Sequence, residues 1–300
     1  MKLHENKSLF EETVNNIFEQ TSIKHEIIEK DYYVTVILKE LSEHLQGLLF
    51  KGGTSLSKCY KLIKRFSEDI DLTLEEGYLT QGKRKKVKYE IVDTCNKLNL
   101  NILNLDNTRS NRDFNRYQID YPSTFTTGNL KKYIYIETSF LVKSFPSKIK
   151  TTTSIIYDFL KEEGFDDLIE EHELQPFFMN VQSIERTFID KIFAICDYYL
   201  NGNVREHSRH LYDIYKIFPH IKFNKDLKCL ISETRAVRQE KTLCLSAADN
   251  ININSLLEKI IKSDVYKQDY KTITTDLLFE PITYEQTIKT LNTVIKSDLF

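Results

Sequence analysis

The stretch Phe50-Lys51-Gly52-Gly53-Thr54-Ser55-Leu56-Ser57-Lys58, followed by Arg65-Phe66-Ser67-Glu68-Asp69-Ile70-Asp71-Leu72-Thr73-Leu74, decides how this chain is read. Leu48-Leu49-Phe50 is a short apolar run ending at Gly52-Gly53, as a buried strand does on entering a tight turn. Residues 55–64 return to helical spacing, and residues 69–74 alternate with period two, which predicts a strand. On a strand, residues i and i+2 share a face, so Asp69 and Asp71 project together while Ile70 and Leu72 enter the core. Two carboxylates side by side repel unless a cation sits between them. Mg²⁺, or Mn²⁺ in its place, takes oxygen ligands and is commonly shared with substrate phosphates. Two such ions about 4 Å apart could clamp the attacking and leaving oxygens of an in-line displacement at phosphorus. Gly52-Gly53 would let the backbone approach a triphosphate. The amides of the following helix start, with the hydroxyls of Thr54 and Ser55, would face its oxygens, and Lys58 would reach them from one turn further on. Alone, a Gly-Gly is usually a turn and an Asp-x-Asp a solvated strand edge. The order strand, Gly-Gly, helix, strand, Asp-x-Asp in a short span is far more specific.

Working outward, Leu9, Val14, Ile17 and Phe18, then Ile27, Ile28, Tyr32, Val36, Ile37 and Leu41, recur at helical spacing, so residues 8–46 predict two helices. A basic helix is expected over about 82–98, then strands over Tyr117–Tyr121 and Tyr133–Val142, with Pro122, Thr126, Thr127 and Gly128 in the connection. Residues 143–180 hold a polar Lys/Thr stretch, an acidic patch and Pro176-Phe177-Phe178-Met179, which suggests a last strand. Beyond 182 the pattern is helical: about 183–200, 205–217, 225–240, 253–262 and 284–297. The expected fold is α/β (α+β): a mixed sheet with flanking helices over residues 1–180, and an all-helical lobe over 181–300.

Composition excludes several classes. The hydrophobic and charged fractions, 41% and 29%, are those of a globular protein. A formal charge of -2 excludes a bulk polycation, so any nucleic-acid contact must come from a local basic face. The five cysteines are scattered, with no zinc-ligand spacing, and fit a reducing compartment. The N-terminus lacks the apolar run of a signal peptide, and no apolar stretch approaches the roughly 18 residues of a membrane span. A cytoplasmic protein with no membrane partner is expected.

The stretch Lys51–Leu72 closely resembles the AbiEii/AbiGii-type toxin nucleotidyltransferases, a branch of the DNA polymerase β-like nucleotidyltransferase superfamily, whose signature is Gly-Gly or Gly-Ser with a helical turn, then Asp-x-Asp or Asp-x-Glu. Glu29-Lys30-Asp31-Tyr32-Tyr33 resembles the family's N-terminal helix pattern, Glu185-Arg186-Thr187-Phe188-Ile189-Asp190-Lys191 its lysine motif, and Arg209-His210-Leu211-Tyr212-Asp213-Ile214-Tyr215 its late aspartate motif. The resemblance runs in order over about residues 25–220. It implies a polymerase β-like sheet, a metal-dependent transfer of NMP from an NTP, and a paired antitoxin in a toxin–antitoxin or phage-defence system. Relatives that extend the 3′ end of tRNA make tRNA the first-choice acceptor. Nucleotidylation of a protein hydroxyl, and a non-catalytic RNA-binding relative, are the alternatives.

The remaining candidates each have a bland counterpart. Glu137 shares a strand face with Tyr135; it is either an ordinary strand glutamate or, by the resemblance, a third carboxylate that ligates metal or acts as general base. Lys191 falls within the apolar stripe of Ile184, Phe188, Ile195 and Tyr199, where a lysine must either meet an anion such as a triphosphate or extend its head to water. Asp213 can form a plain surface pair with Arg209 on its helix. The resemblance places Asp213 in the active site, orienting Lys191 or the nucleotide. His210 is the one histidine connected, weakly, with that site. Ser67, after Arg65 and before the first aspartate, is a turn serine or a phosphate-bonding hydroxyl open to phosphorylation. Lys83, Arg84, Lys85, Lys86 and Lys88 form either a solvated helix face or an RNA-backbone contact, which Lys131, Lys132, Lys148 and Lys150 would extend.

Overall fold

A computed structural model describes residues 1–67, 69–125, 132–140 and 144–300, with the side chain of Glu76 left out. Glu68, the turn residues Thr126, Thr127 and Gly128, Lys131 and Val142 therefore lie outside the described residues. The chain divides into two compact units, one of Met1–Tyr60, Ser67–Phe140 and Ser147–Val181, the other of Lys61–Phe66, Leu141–Pro146 and Gln182–Phe300.

The first unit is built on a seven-stranded mixed sheet: β1 (Leu48–Lys51), β2 (Ile70–Leu74), β3 (Asn101–Ile102), β4 (Phe114–Asp120), β5 (Tyr133–Ser139), β6 (Ser147–Thr152) and β7 (Phe177–Gln182), in the order β3-β4-β5-β2-β1-β7-β6. β2 runs antiparallel to β1 and parallel to β5, and β1 runs parallel to β7. The strands expected from alternation all form. β6 was not anticipated, because Ser-Lys-Ile-Lys-Thr-Thr lacks an apolar side to alternate with; it is an edge strand, where lysines are at home.

The sheet's pleat sorts its residues. Leu48, Phe50, Ile70, Leu72, Leu74, Tyr117, Ile119, Ile134 and Ile136 join one buried cluster. That cluster is completed by helices α1 (Lys7–Thr21), α2 (His25–His44), α4 (Gln81–Lys97), α5 (Ile155–Glu162) and α6 (Asp166–Glu171) through Phe10, Val14, Ile37, Leu41, Val87, Ile91, Cys95, Ile156, Leu160 and Ile169. The intervening residues Lys51, Asp71, Glu137 and Arg116 occupy the opposite face. Helix α3 (Gly52–Lys58) is shorter than the helical spacing over 55–64 suggests. Lys61 takes a left-handed backbone, φ 55°, which no helix continues through.

The second unit contains α7 (Ile184–Leu200), α8 (Arg209–Ile217), α9 (Lys225–Gln239), α10 (Ile253–Ser263) and α11 (Tyr284–Lys296), as the periodicity suggests. Phe188, Ile192, Ile195, Leu211, Ile214, Leu257, Ile260, Leu291 and Val294 fill its core. α8 starts later than expected because Glu206 is left-handed, φ 66°, and the Asp269 carboxylate holds the amides of Glu206 and Ser208 ahead of the helix. One extended element joins the helices. Arg65 bridges Leu278, the Phe66 amide donates to Leu277 O at 2.8 Å, and the Phe279 amide to Lys64 O at 2.9 Å.

Candidate active site

In the first unit the central strands set four charged residues in one row. Lys51 is paired with Asp71 across β1 and β2, Asp71 with Glu137 across β2 and β5, and Glu137 with Arg116 across β5 and β4. Directly opposed residues share a face, so two carboxylates stand side by side with a cation at each end. Asp69 sits two residues before Asp71, with Tyr135 the next position along β5.

Gly52 fixes Asp71 from below. Its φ of +76° lies in the left-handed region, and a Cβ there would collide with the Asp71 carboxylate, whose carbon would be 2.7 Å away. Gly52 therefore seats the Asp71 carboxylate of β2 directly on the turn backbone. Thr54 fixes Asp69: its hydroxyl donates to Asp69 O at 2.6 Å and lies 3.0 Å from Ser67 Oγ. The Ser55 hydroxyl donates to Gly52 O at 2.9 Å. Thr54 and Ser55 are buried. Their hydroxyls thus bond to Asp69 O and Gly52 O and brace the turn, where the sequence suggests contacts to phosphate; a seven-residue helix satisfies polar groups of its first turn locally. Ser67 is half-buried and belongs to the same brace.

Lys58 also departs from expectation. It is 3% exposed, and its ammonium donates to Asp31 Oδ1 at 2.6 Å and to Thr35 Oγ1 at 2.6 Å. Asp31 accepts the Ile155 amide with its other oxygen, at 2.8 Å. Its neighbour Glu29 receives the Ser123 hydroxyl and the amides of Thr124 and Phe125. The Glu29-Lys30-Asp31 motif is thus a strut that ties α2 to α3, to α5 and to the segment after β4.

Asp69 Oδ1 is buried and has no hydrogen-bond partner. A carboxylate oxygen stripped of water and given no donor is costly, and a divalent cation relieves that cost. The residues present therefore fit a metal. Among the described residues, however, Asp69, Asp71 and Glu137 do not form a trio of ligands within 4.8 Å; the group that does, Glu40, Glu43 and His44, is a surface cluster on α2. Glu137 instead accepts from Arg116 Nε at 2.7 Å, with Nη2 at 2.6 Å.

In the second unit, Lys191 and Asp213 meet as the family pattern implies, with Lys191 Nζ 2.7 Å from Asp213 Oδ2. The surface-pair reading of Asp213 with Arg209 gives way to a buried one: Arg65 grips the carboxylate with two donors, Nε at 2.7 Å and Nη2 at 2.8 Å. Burial alone would raise the Asp213 pKa, yet Arg65 and Lys191 hold it far below the ordinary carboxylate range. Burial pushes Lys191 down, and the Arg65 charge adds to this. Lys191 Nζ also lies 3.3 Å from His210 Nδ1. Burial and the neighbouring cations drive His210 well below its usual pKa. A neutral ring offers a bare Nδ1 to an ammonium that can only donate. The lysine head is buried among partners, not extended to water. Two cations share the Asp213 carboxylate.

The family model "Nucleotidyl transferase AbiEii toxin, Type IV TA system" matches residues 36–292, most of the chain. The chain belongs to the AbiEii nucleotidyltransferase toxin family. No curated protein matches. Among solved structures, MenT4, a nucleotidyltransferase toxin from Mycobacterium tuberculosis H37Rv, is similar over 95% of this chain and 88% of that one, with 12% identity and a TM-score of 0.54. At that identity the likeness speaks for the fold. This AbiEii chain is a nucleotidyltransferase, and membership implies an NTP substrate and an antitoxin partner. No described helix is long and apolar enough to cross a membrane.

Three charged residues of this AbiEii chain carry geometry that local spacing does not announce: Lys51 and Arg116, at the ends of the carboxylate row, and Arg65, on Asp213. Of the basic run on α4, three members are spent at home. Lys83 lies 5.0 Å over the Tyr78 ring, Arg84 pairs with Asp113 at 2.9 Å and covers Phe140, and Lys88 donates to Thr108 O at 2.8 Å. Lys85 and Lys86 are exposed. Since α4 buries Val87, Ile91 and Cys95 in the core cluster, it packs against the sheet face opposite Asp71. Lys132 and Lys148 are exposed, and Lys150 lies 5.1 Å over the Tyr60 ring.

Proposed function

We propose that the protein transfers NMP from an NTP to an RNA acceptor, with the 3′ end of tRNA as first choice, using a divalent cation, Mg²⁺ or Mn²⁺, held by Asp69 and Asp71. The observation that carries this reading is the seat of Asp71 on Gly52 beside a buried, unpartnered oxygen of Asp69. When bound, the cation polarises the α-phosphate and offsets the charge that develops on the leaving pyrophosphate. The rest is done by side chains. Gly52 and Gly53 leave the turn backbone open to the triphosphate, while Thr54, Ser55 and Ser67 keep the two carboxylates in place. The acceptor oxygen bonds to the α-phosphorus as the bond to the β-phosphate oxygen breaks, pyrophosphate departs, and the hydroxyl proton passes to a carboxylate. Glu137, opposite Asp71 in the sheet and held by Arg116, is assigned that proton. Within the second unit, Lys191 is assigned to meet anionic charge, and Asp213 with Arg65 to position Lys191.

The test is incubation with each of the four α-labelled NTPs and either total tRNA or a proteome, with and without chelator. Label entering the tRNA fraction only, and only with metal, is expected. Label in protein alone would overturn the RNA acceptor, and full incorporation in excess chelator would overturn the metal.

A further inference from the structure

We infer that the acceptor strand lies on the exposed face of β4 and β5, with its bases stacked on Phe114 and on the Arg116–Tyr135 pair, and not on the basic helix α4. The inference rests on the RNA-acceptor reading and goes beyond it by naming the surface. Phe114 is 42% exposed and the Arg116 side chain 55% exposed. They stand two residues apart on β4 and so share one sheet face. In register they oppose Ser139 and Glu137. The Arg116 guanidinium lies 5.2 Å over the Tyr135 ring, and Tyr135 directly precedes Ile136, the partner of Ile70, which follows Asp69. An exposed ring, a planar cation and a second ring thus form a line that ends at the two aspartates.

Single-stranded RNA is recognised by this combination, bases stacking on aromatic rings and on guanidinium planes. The approach to β4 adds charge for the phosphates. Arg109 and Arg112 are exposed in the turn before the strand. The turn is held rigid by Asn115, whose side-chain amide both accepts from the Arg109 amide at 2.8 Å and donates to Arg109 O at 2.9 Å. Asp113, the acid within that turn, is paired with Arg84. Arg109 and Arg112 therefore place positive charge beside Phe114, although the chain as a whole is slightly acidic. The other basic surface, Lys85 and Lys86 with the exposed Tyr89 on α4, lies beyond the sheet from Asp71 and does not lead to the aspartates.

The experiment measures the affinity of the full chain for a short, labelled single-stranded RNA by fluorescence anisotropy, alongside the KM for NTP at saturating RNA. Phe114→Ala is expected to weaken RNA binding about tenfold, the loss of roughly one base stack, with NTP KM unchanged. Phe114→Trp should restore binding. Lys85→Ala with Lys86→Ala should stay within about twofold of wild type. The ring is exposed, so a thermal melt unchanged in Phe114→Ala verifies folding. If wild type binds RNA and Phe114→Ala binds equally well, or if only the α4 double variant loses affinity, this surface is wrong while the RNA-acceptor reading stands. If Phe114→Ala raises the NTP KM and spares RNA, the platform holds the nucleotide instead. Failure of wild type to bind any single-stranded RNA overturns both readings together.

Discussion

Replacing Gly52 with alanine separates two things that the turn does. The residue has φ +76°, and forcing a Cβ into the left-handed region costs about 1–2 kcal/mol. The new atom would also stand 2.7 Å from the Asp71 carboxylate carbon, some 0.7 Å inside the 3.4 Å where ordinary contact begins. Either the turn or the carboxylate must therefore shift by the better part of an ångström. A displacement of about 1 Å in a reacting group is enough to cost on the order of 100-fold in rate. Gly164 supplies the control: its φ is +80°, but nothing lies within 4 Å of a Cβ built there. Gly164→Ala should lose a similar 1–2 kcal/mol of backbone stability and keep full activity. Gly52→Ala should lose at least that stability and about 100-fold of turnover as well. Urea unfolding and incorporation of α-labelled NTP measure the two effects. A folded Gly52→Ala protein with turnover within about threefold of wild type would refute the claim that Asp71 is positioned by its contact with the turn.

Three further substitutions test the rest of the arrangement. Arg65→Ala removes two charge-assisted donors from a carboxylate that is 0% exposed and leaves it Lys191, which should cost about 1.5–3 kcal/mol in urea unfolding at neutral pH. Because the folded pKa of Asp213 is depressed, its contribution is present above the unfolded carboxylate value, about 4, and is lost as pH falls through the folded one. The gap between wild type and Arg65→Ala should accordingly narrow in acid, and a gap that is constant with pH would point to packing instead. Lys58→Met should destabilise the first unit by about 3 kcal/mol, since Asp31 loses its buried cation, and leave the NTP KM of the folded fraction unchanged; a large rise in KM would return Lys58 to the nucleotide. Glu137→Gln should lower kcat by roughly 10²-fold or more with little change in NTP KM, and loss of NTP affinity instead would make it a metal ligand.

What could be read from the sequence was what neighbouring residues settle. Strand period predicts a common face for Asp69 and Asp71, although β2 begins only at Ile70, and Gly52 earns its place by a backbone conformation that a Gly-Gly pair announces. Lys191 in an apolar stripe demanded an anion, and Asp213 supplies one. Contacts between distant segments were not legible. Arg65 reaches Asp213 across 148 residues of chain, and Arg116 meets Glu137 only through the register of β4 and β5. The place of Lys58 one turn after Gly-Gly does not reveal that it meets Asp31 and Thr35 on α2. For the basic run on α4, charge density says nothing about which sheet face a helix covers, whereas Val87, Ile91 and Cys95 decide it.

The central claim is that Asp69 and Asp71 hold a divalent cation jointly with the nucleotide. Mn²⁺ binding followed by electron paramagnetic resonance, in the presence of a non-hydrolysable NTP analogue, addresses it directly. Wild type should bind Mn²⁺ far more tightly with the analogue than without it, and Asp69→Asn with Asp71→Asn should abolish that gain while the protein remains folded. An undiminished gain in the double variant would contradict the account.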